Sequence, residues 1–219
     1  MLKDLYLEIK SFITGQTIDA IIPSIVFVSL NSIFGLNSAF IGSTVFSVGI
    51  IVLRIIQKKK INYSLVGLGM VILASGLSLL TSNPNTYFLP DLITNVLIVI
   101  GIVISLLINK PFAAYASHLT RNWPLNWYFR NDIKPAYLEV SLIWLFFFSM
   151  KSIIQLLILF QPSINSGIIN LLLGFPLTLI VMSISYMYGI IRLKQLKGPS
   201  VEEFKLNKES PYKGQTKGF

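Results

Sequence analysis

The stretch Phe88–Ile108, FLPDLITNVLIVIGIVISLLI, decides the fold. After Asp91 no ionisable side chain appears until Lys110, and apolar residues occupy every face of a helical wheel rather than one stripe. A bilayer core of roughly 30 Å is crossed by about 20 such residues in a helix. Asn109-Lys110-Pro111 then stops the run, since a helix ends before a proline that cannot continue it.

Working outward, five more segments share this character. They cover about 18–34, 38–56 and 61–80 before it, and 136–160 and 164–191 after it. Gly35-Leu36-Asn37 turns the first into the second, and Lys58-Lys59-Lys60 closes the second. Thr81-Ser82-Asn83-Pro84-Asn85 and Gln161-Pro162-Ser163 are further turn signals. Pro176 inside the last segment predicts a tilt or kink. The expected fold is all-α: a bundle of six transmembrane helices, readable as three in–out–in hairpins, over 18–193. Residues 1–17 form a cytoplasmic N-terminal segment and 194–219 a cytoplasmic tail.

Composition agrees with lipid as the solvent. Of 219 residues, 53% are hydrophobic and only 12% charged, with a mean hydropathy of +0.71. Soluble chains carry about twice that share of charge. Cysteine is absent, which excludes disulfides, thiolate metal sites and thiol nucleophiles. The first seventeen residues mix Lys3, Lys10, Asp4 and Glu8 and do not read as a secretory signal. The formal charge of +9 is a matter of flanks, not of nucleic acid. Counting alternate connections places 17 of the 18 basic residues on one side and none on the other, with Lys151 inside the fifth segment. Basic connections stay cytoplasmic, so both termini are expected inside and the number of spans even. Arg54, Lys58, Lys59, Lys60, Lys110, Arg192 and Lys194 are then candidate contacts for anionic lipid at that face.

Between the fourth and fifth segments, Phe112, Tyr115, Leu119, Trp123 and Trp127 recur at three- or four-residue steps after Pro111. This predicts an amphipathic helix or broken helix on the inner leaflet, with an aromatic belt at headgroup level. In the tail, Ser200-Val201-Glu202-Glu203 is a capping-box start, and Pro211, Gly214 and Gly218 predict a mobile end.

A buried charge within a bilayer costs a few kcal/mol and calls for a partner. Lys151 is the clearest case, with Gln155 one turn along on the same face. Asp91 and Asn95 share a face of the fourth segment, and an Asp91–Lys151 pair would lower the cost of both. The cluster Lys151, Gln155, Asp91 and Asn95 is either interhelical glue or the wall of a polar pathway between the fourth and fifth helices. Glu139 is expected to pair with Arg54 or Lys134. Small-residue steps Ser38/Gly42, Ser43/Ser47, Ala74/Ser78 and Gly174/Thr178 allow close helix approach, inside the chain or with a second copy. The single histidine, His118, has no visible partner for a metal site or a triad, and no HExxH, GxSxG or Walker pattern occurs. No catalytic residue, metal or cofactor is expected.

Some of these motifs resemble the bacterial intracellular septation protein A family and its septation-A-like relatives. They are Ile22-Pro23-Ser24-Ile25-Val26-Phe27, the Arg54-centred helix end, Phe88-Leu89-Pro90, Leu107-Ile108-Asn109-Lys110-Pro111-Phe112, and the series Trp123, Arg130, Tyr137, Trp144 leading to Lys151-x-x-x-Gln155. The resemblance implies a bacterial plasma (inner) membrane protein of non-enzymatic character, concerned with envelope maintenance, septation or lipid homeostasis. It also implies other envelope or division proteins, or further copies of the chain, as partners. A sixth span and the long tail depart from that family's usual description. The alternative from the residues themselves is a small-solute or ion transporter or channel.

Overall fold

The computed structural model describes residues 15–161, 166–216 and 218–219. All regular structure among them is helical: α1 (Gly15–Phe34), α2 (Leu36–Ile56), α3 (Asn62–Thr81), a 3-10 turn (Pro84–Phe88), α4 (Leu89–Leu107), α5 (Phe112–Arg121), α6 (Leu125–Tyr128), α7 (Lys134–Phe160), α8 (Ser166–Leu173), α9 (Phe175–Leu196) and α10 (Val201–Lys205). The breaks follow local chemistry. Gly35 alone joins α1 to α2 at φ +80°, a left-handed conformation that costs glycine little. Asn109 ends α4 at φ +56°, and Lys110 N–H returns to the Ser105 carbonyl at 2.8 Å, closing the last turn before Pro111. The expected kink is a break at Gly174, where Pro176 in the next turn has no N–H to continue the ladder.

Five helical stretches are long and apolar enough to cross a membrane: Leu36–Ile56, Ser64–Thr81, Pro84–Leu107, Lys134–Phe160 and Ser166–Leu196. Only 11–28% of the residues in each are buried by protein. Side chains such as Val66 (68% exposed), Leu97 (62%) and Phe146 (71%) therefore present an apolar exterior that water would not tolerate over so wide an area. The protein is a multi-pass membrane protein. The first expected span differs from the rest: its apolar part, Ile21–Phe34, is shorter. At 1.5 Å per residue that part reaches only about two-thirds of a hydrocarbon core.

The chain divides into two compact units, and α4, α7 and α9 contribute to both. One unit contains residues 15–94 and the described part of Ser152–Thr178. Within it α1, α2 and α3 pack on one another. Ala39, Ser43, Ser47 and Ile51 form the buried stripe of α2 at four-residue steps, and Ala74 and Ser78 are buried on α3. Two of the small-residue steps thus serve packing inside the chain. A side chain at Gly42 would run into Leu30, so α1 and α2 need that glycine to approach. The seryl hydroxyls are satisfied locally, as Ser47 to the Ser43 carbonyl (2.8 Å) and Ser78 to the Ala74 carbonyl (3.2 Å).

The other unit contains Asn95–Lys151 and Leu179–Phe219. Its core joins Trp127, Tyr128, Ile133, Tyr137 and Val140 to Leu193 and Val201. The aromatic connection is helical as the spacing predicts, but it is not a belt facing headgroups. Trp127 and Tyr128 are fully buried, and Trp127 Nε1 donates to the Pro199 carbonyl at 2.9 Å. Edge-on ring contacts of 5.0–6.1 Å link Trp127, Tyr128 and Tyr137, a geometry the ring quadrupole favours. Burial pushes the Tyr128 phenol up to about 12, against the Ser117 hydrogen bond and the Arg121 charge.

The segment after α9 is docked, contrary to the mobile end expected from its glycines and proline. Ser200 caps α10 in the predicted capping box. The Glu203 carboxylate accepts from the backbone N–H of Lys213 (2.8 Å), Ser200 (2.9 Å) and Gly214 (3.1 Å), while Gln215 accepts from Val201 N–H. Phe219 stacks on Tyr137 at 4.2 Å and 8°, and Arg121 Nε donates to its carbonyl at 2.9 Å. Gly218 is needed at φ +79°, against Trp123 and Arg121, where a Cβ would come within 2.8 Å of the indole. The glycines make close docking possible here instead of loosening the chain.

The Lys213, Ser200 and Gly214 amides hold the Glu203 carboxyl down to about 2, against the opposing effect of burial. A lowered folded-state value means its stabilisation is present above the ordinary value of 4.5 and is lost as pH falls toward 2. Glu203→Gln should therefore loosen this segment at neutral pH, read as faster trypsin cleavage at Lys205, Lys208 and Lys213 in detergent. Acid titration of the wild type should shift tryptophan fluorescence within that same window, and a flat response would show that Glu203 does not hold the segment.

Candidate functional site

The polar interior of the first-described unit lies around the 3-10 turn. Ser82 ends α3 in the left-handed conformation (φ +50°), and Asn83 Oδ1 accepts from Asn85 N–H at 2.9 Å, setting Pro84 at the head of the turn. Thr86 Oγ1 donates to the Asn83 carbonyl at 2.7 Å. Two bonds then fix the turn to its neighbours. The Tyr87 ring stacks on Phe27 of α1 at 3.9 Å, with its hydroxyl 3.2 Å from Ser24 Oγ. Asn83 Nδ2 reaches the Leu159 carbonyl of α7 at 3.4 Å. The outcome is a rigid platform that presents Asn85 inward, 6% exposed.

Two adjoining cavities lie against this platform. The larger, about 90 Å³, is walled by Phe27, Val28, Asn31 and Ser32 of α1, Pro84, Asn85 and Phe88 of the turn, and Ser166, Gly167 and Ile168 of α8. The smaller, about 10 Å³, is roughly the size of one water and is lined by Asn85, Phe88, Leu89, Leu92, Gln155, Leu159 and Asn170. Asn85 and Phe88 belong to both. Four carboxamides and two hydroxyls thus converge here beside apolar side chains, and none of the lining side chains is charged. Gly167 sets the width, because a Cβ there would meet Val28 Cγ1 at 2.9 Å.

Asn170 is the anomaly of the site. It is 2% exposed, and its Oδ1 has no hydrogen-bond partner. Leaving such an acceptor buried and unmet costs about 1–3 kcal/mol, a cost a folded protein seldom retains without a use for the atom.

The sequence-derived cluster is met in part. Gln155 Nε2 donates to Asp91 Oδ2 at 2.8 Å, which joins two of its four members, and Gln155 lines the smaller cavity. Asp91 stands in the first turn of α4, where the helix dipole favours an anion. Asn95 (2% exposed) and Lys151 (4%) are both buried, and both are engaged in interactions. Asn31, Asn85, Ser166 and Asn170 were not singled out from sequence. Asn31 and Asn170 carried the available signal, each a carboxamide inside an apolar run, but attention to charged residues passes over them. Glu139 is held by Arg192 and Tyr188 of α9. Arg192 Nε donates to both of its oxygens at 2.8–2.9 Å, and Tyr188 O–H to one at 2.7 Å. Lys58, Lys59, Lys60, Lys110 and Lys194 are exposed at helix ends, with Arg54 and Arg192 half-buried. His118 Nδ1 lies 2.6 Å from the Trp123 carbonyl. Among the described residues no three His, Cys, Asp or Glu side chains gather as a metal would need.

Fold and site together define a multi-pass α-helical membrane protein with an uncharged polar pocket. Residues 14–195 match the family described as Protein of unknown function (DUF3159), and the chain belongs to that family. The match carries no septation-protein-A assignment. No curated protein and no solved structure matches the chain.

If Asn170 is kept for a ligand and not for the fold, replacing it should not harm stability. Asn170→Leu removes the unmet acceptor, and the melting temperature in detergent should hold steady or rise, by up to about 1 kcal/mol of stability. A drop of several degrees would make Asn170 a structural residue.

Proposed function

We propose that the protein is a small-solute transporter or channel, and that the two adjoining cavities are its binding site. The observation that carries this reading is the partnerless Asn170 Oδ1 at the wall of a carboxamide-lined cavity inside an otherwise apolar bundle. Binding sites have this character: mostly apolar walls with a few convergent polar groups. A protein acting only as an envelope scaffold has no need of it. In this reading the chain is non-enzymatic, makes six spans with α1 as the first, and keeps its basic helix ends against anionic lipid on the cytoplasmic side. The connection at Gly35, the 3-10 turn and the start of α8 then fall at the outer face, so the cavities open outward. A role in envelope maintenance would be a consequence of what crosses there.

Because the chain has no cysteine, single replacements report directly on water access. Ser32→Cys, exposed at the rim of the larger cavity, should react with an impermeant maleimide added outside intact cells, and Ser78→Cys, fully buried on α3, should not. Failure of Ser32→Cys to react, in a variant that inserts normally, would mean that the cavity does not open outward and would end the transport reading.

A further inference from the structure

We infer that the solute taken by this site is neutral, carries N–H or O–H donors, and has about four to six non-hydrogen atoms, as small amides and small polyols do. The inference rests on the transport reading above and adds the class of cargo.

Charge comes first. The walls of both cavities hold carboxamides, hydroxyls, apolar side chains and aromatic rings, with no ionised group among them. An ion entering would meet only amide and hydroxyl dipoles, with no opposite charge to offset its lost hydration. A neutral solute loses only hydrogen bonds to water, and carboxamides return these one for one, since each offers two donors and an acceptor. Asp91 is bonded to Gln155 and is not itself a wall residue.

Polarity comes next. Asn170 Oδ1 is an acceptor with its partner missing. That atom lines the smaller, water-sized cavity, so a solute seated in the larger one meets it through an N–H or O–H group, directly or by way of one bound water. A site built to bond such a group discriminates against an analogue lacking it, because the buried acceptor is then left unmet.

Size follows from volume. The larger cavity holds about 90 Å³. A dry cavity of about 150 Å³ admits benzene, so this one suits something smaller. Gly167 leaves no margin, with Val28 at 2.9 Å from any added Cβ. Phe27 and Phe88 supply apolar faces for a carbon backbone.

The test uses the full-length protein in liposomes, with stopped-flow light scattering to follow solute entry. Urea, acetamide and ethylene glycol should enter several-fold faster than into protein-free vesicles. Glycerol should enter more slowly, and sorbitol at the background rate. Potassium and chloride fluxes, read with ion-sensitive dyes, should stay at background. Asn170→Leu should return urea and acetamide entry to background while eluting as a monodisperse species. Should that variant not fold, Gly167→Ala serves: it should reduce glycerol entry more than urea entry. Ion flux without neutral-solute flux would overturn the inferred cargo while leaving the transport reading standing. Neutral flux that Asn170→Leu leaves unchanged would overturn the inference in the same way. Background rates for every solute and ion would overturn both.

Discussion

Hydrocarbon cannot accept or donate a hydrogen bond, and every polar atom inside the spans answers to that fact. Backbone groups meet it by forming helices, the one open-ended structure that satisfies itself within a segment. Short hydroxyl side chains meet it by folding back on their own helix. Ser47, Ser75, Ser78, Thr94, Thr178 and Ser183 all donate to a carbonyl four residues earlier. Serines and threonines in these helices therefore mark close packing more than chemistry. A carboxamide cannot do the same. Its donors and acceptor lie too far out and point in too many directions for one helix to satisfy, so each buried Asn or Gln draws on another element or a guest.

The two units meet polarity in different ways. In the unit built from Asn95–Lys151 and Leu179–Phe219, aromatic rings stack and cross around Tyr137, and their polar tips find backbone carbonyls or hydroxyls, as Trp127 does with Pro199 and Tyr128 with Ser117. Glu203 gathers three amide donors on one carboxylate, which is how a soluble domain anchors a loop. The Tyr137 hydroxyl is the exception, buried without a hydrogen-bond partner. In the other unit four carboxamides and two hydroxyls border the cavities around the 3-10 turn.

Much of the fold was legible because apolar length and charge placement are one-dimensional quantities. The segment ends at Lys58–Lys60 and Asn109-Lys110-Pro111 fall where the sequence puts them, since a helix stop needs only local residues. The docked segment after α9 was misread for the opposite reason. Gly214 and Gly218 look like freedom in a string of letters, but their small size lets the chain lie against Gly198 and Trp123, and that requires knowing what lies opposite. The candidate site was half legible. Asp91 and Gln155 stood out as polar residues in apolar runs, and they bond to each other. Asn85 did not, because its position reads as an ordinary turn. Only the Phe27–Tyr87 stack, joining residues sixty apart in the chain, turns that loop inward.

That stack also explains why an uncharged site can persist here. A pocket of carboxamides is costly when empty, and a bundle free to relax would close on it, bringing Asn170 to a partner. The turn is prevented from relaxing by three restraints at different points: Asn83 as its cap, Tyr87 against Phe27, and the bond from Asn83 to Leu159. Asn85 and Leu159 take part through their backbone alone, and only Phe27 among the wall residues uses its side chain, a ring that is both clamp and wall. The scaffold can thus stay rigid while the lining stays unsatisfied, which separates holding the site open from what the site binds.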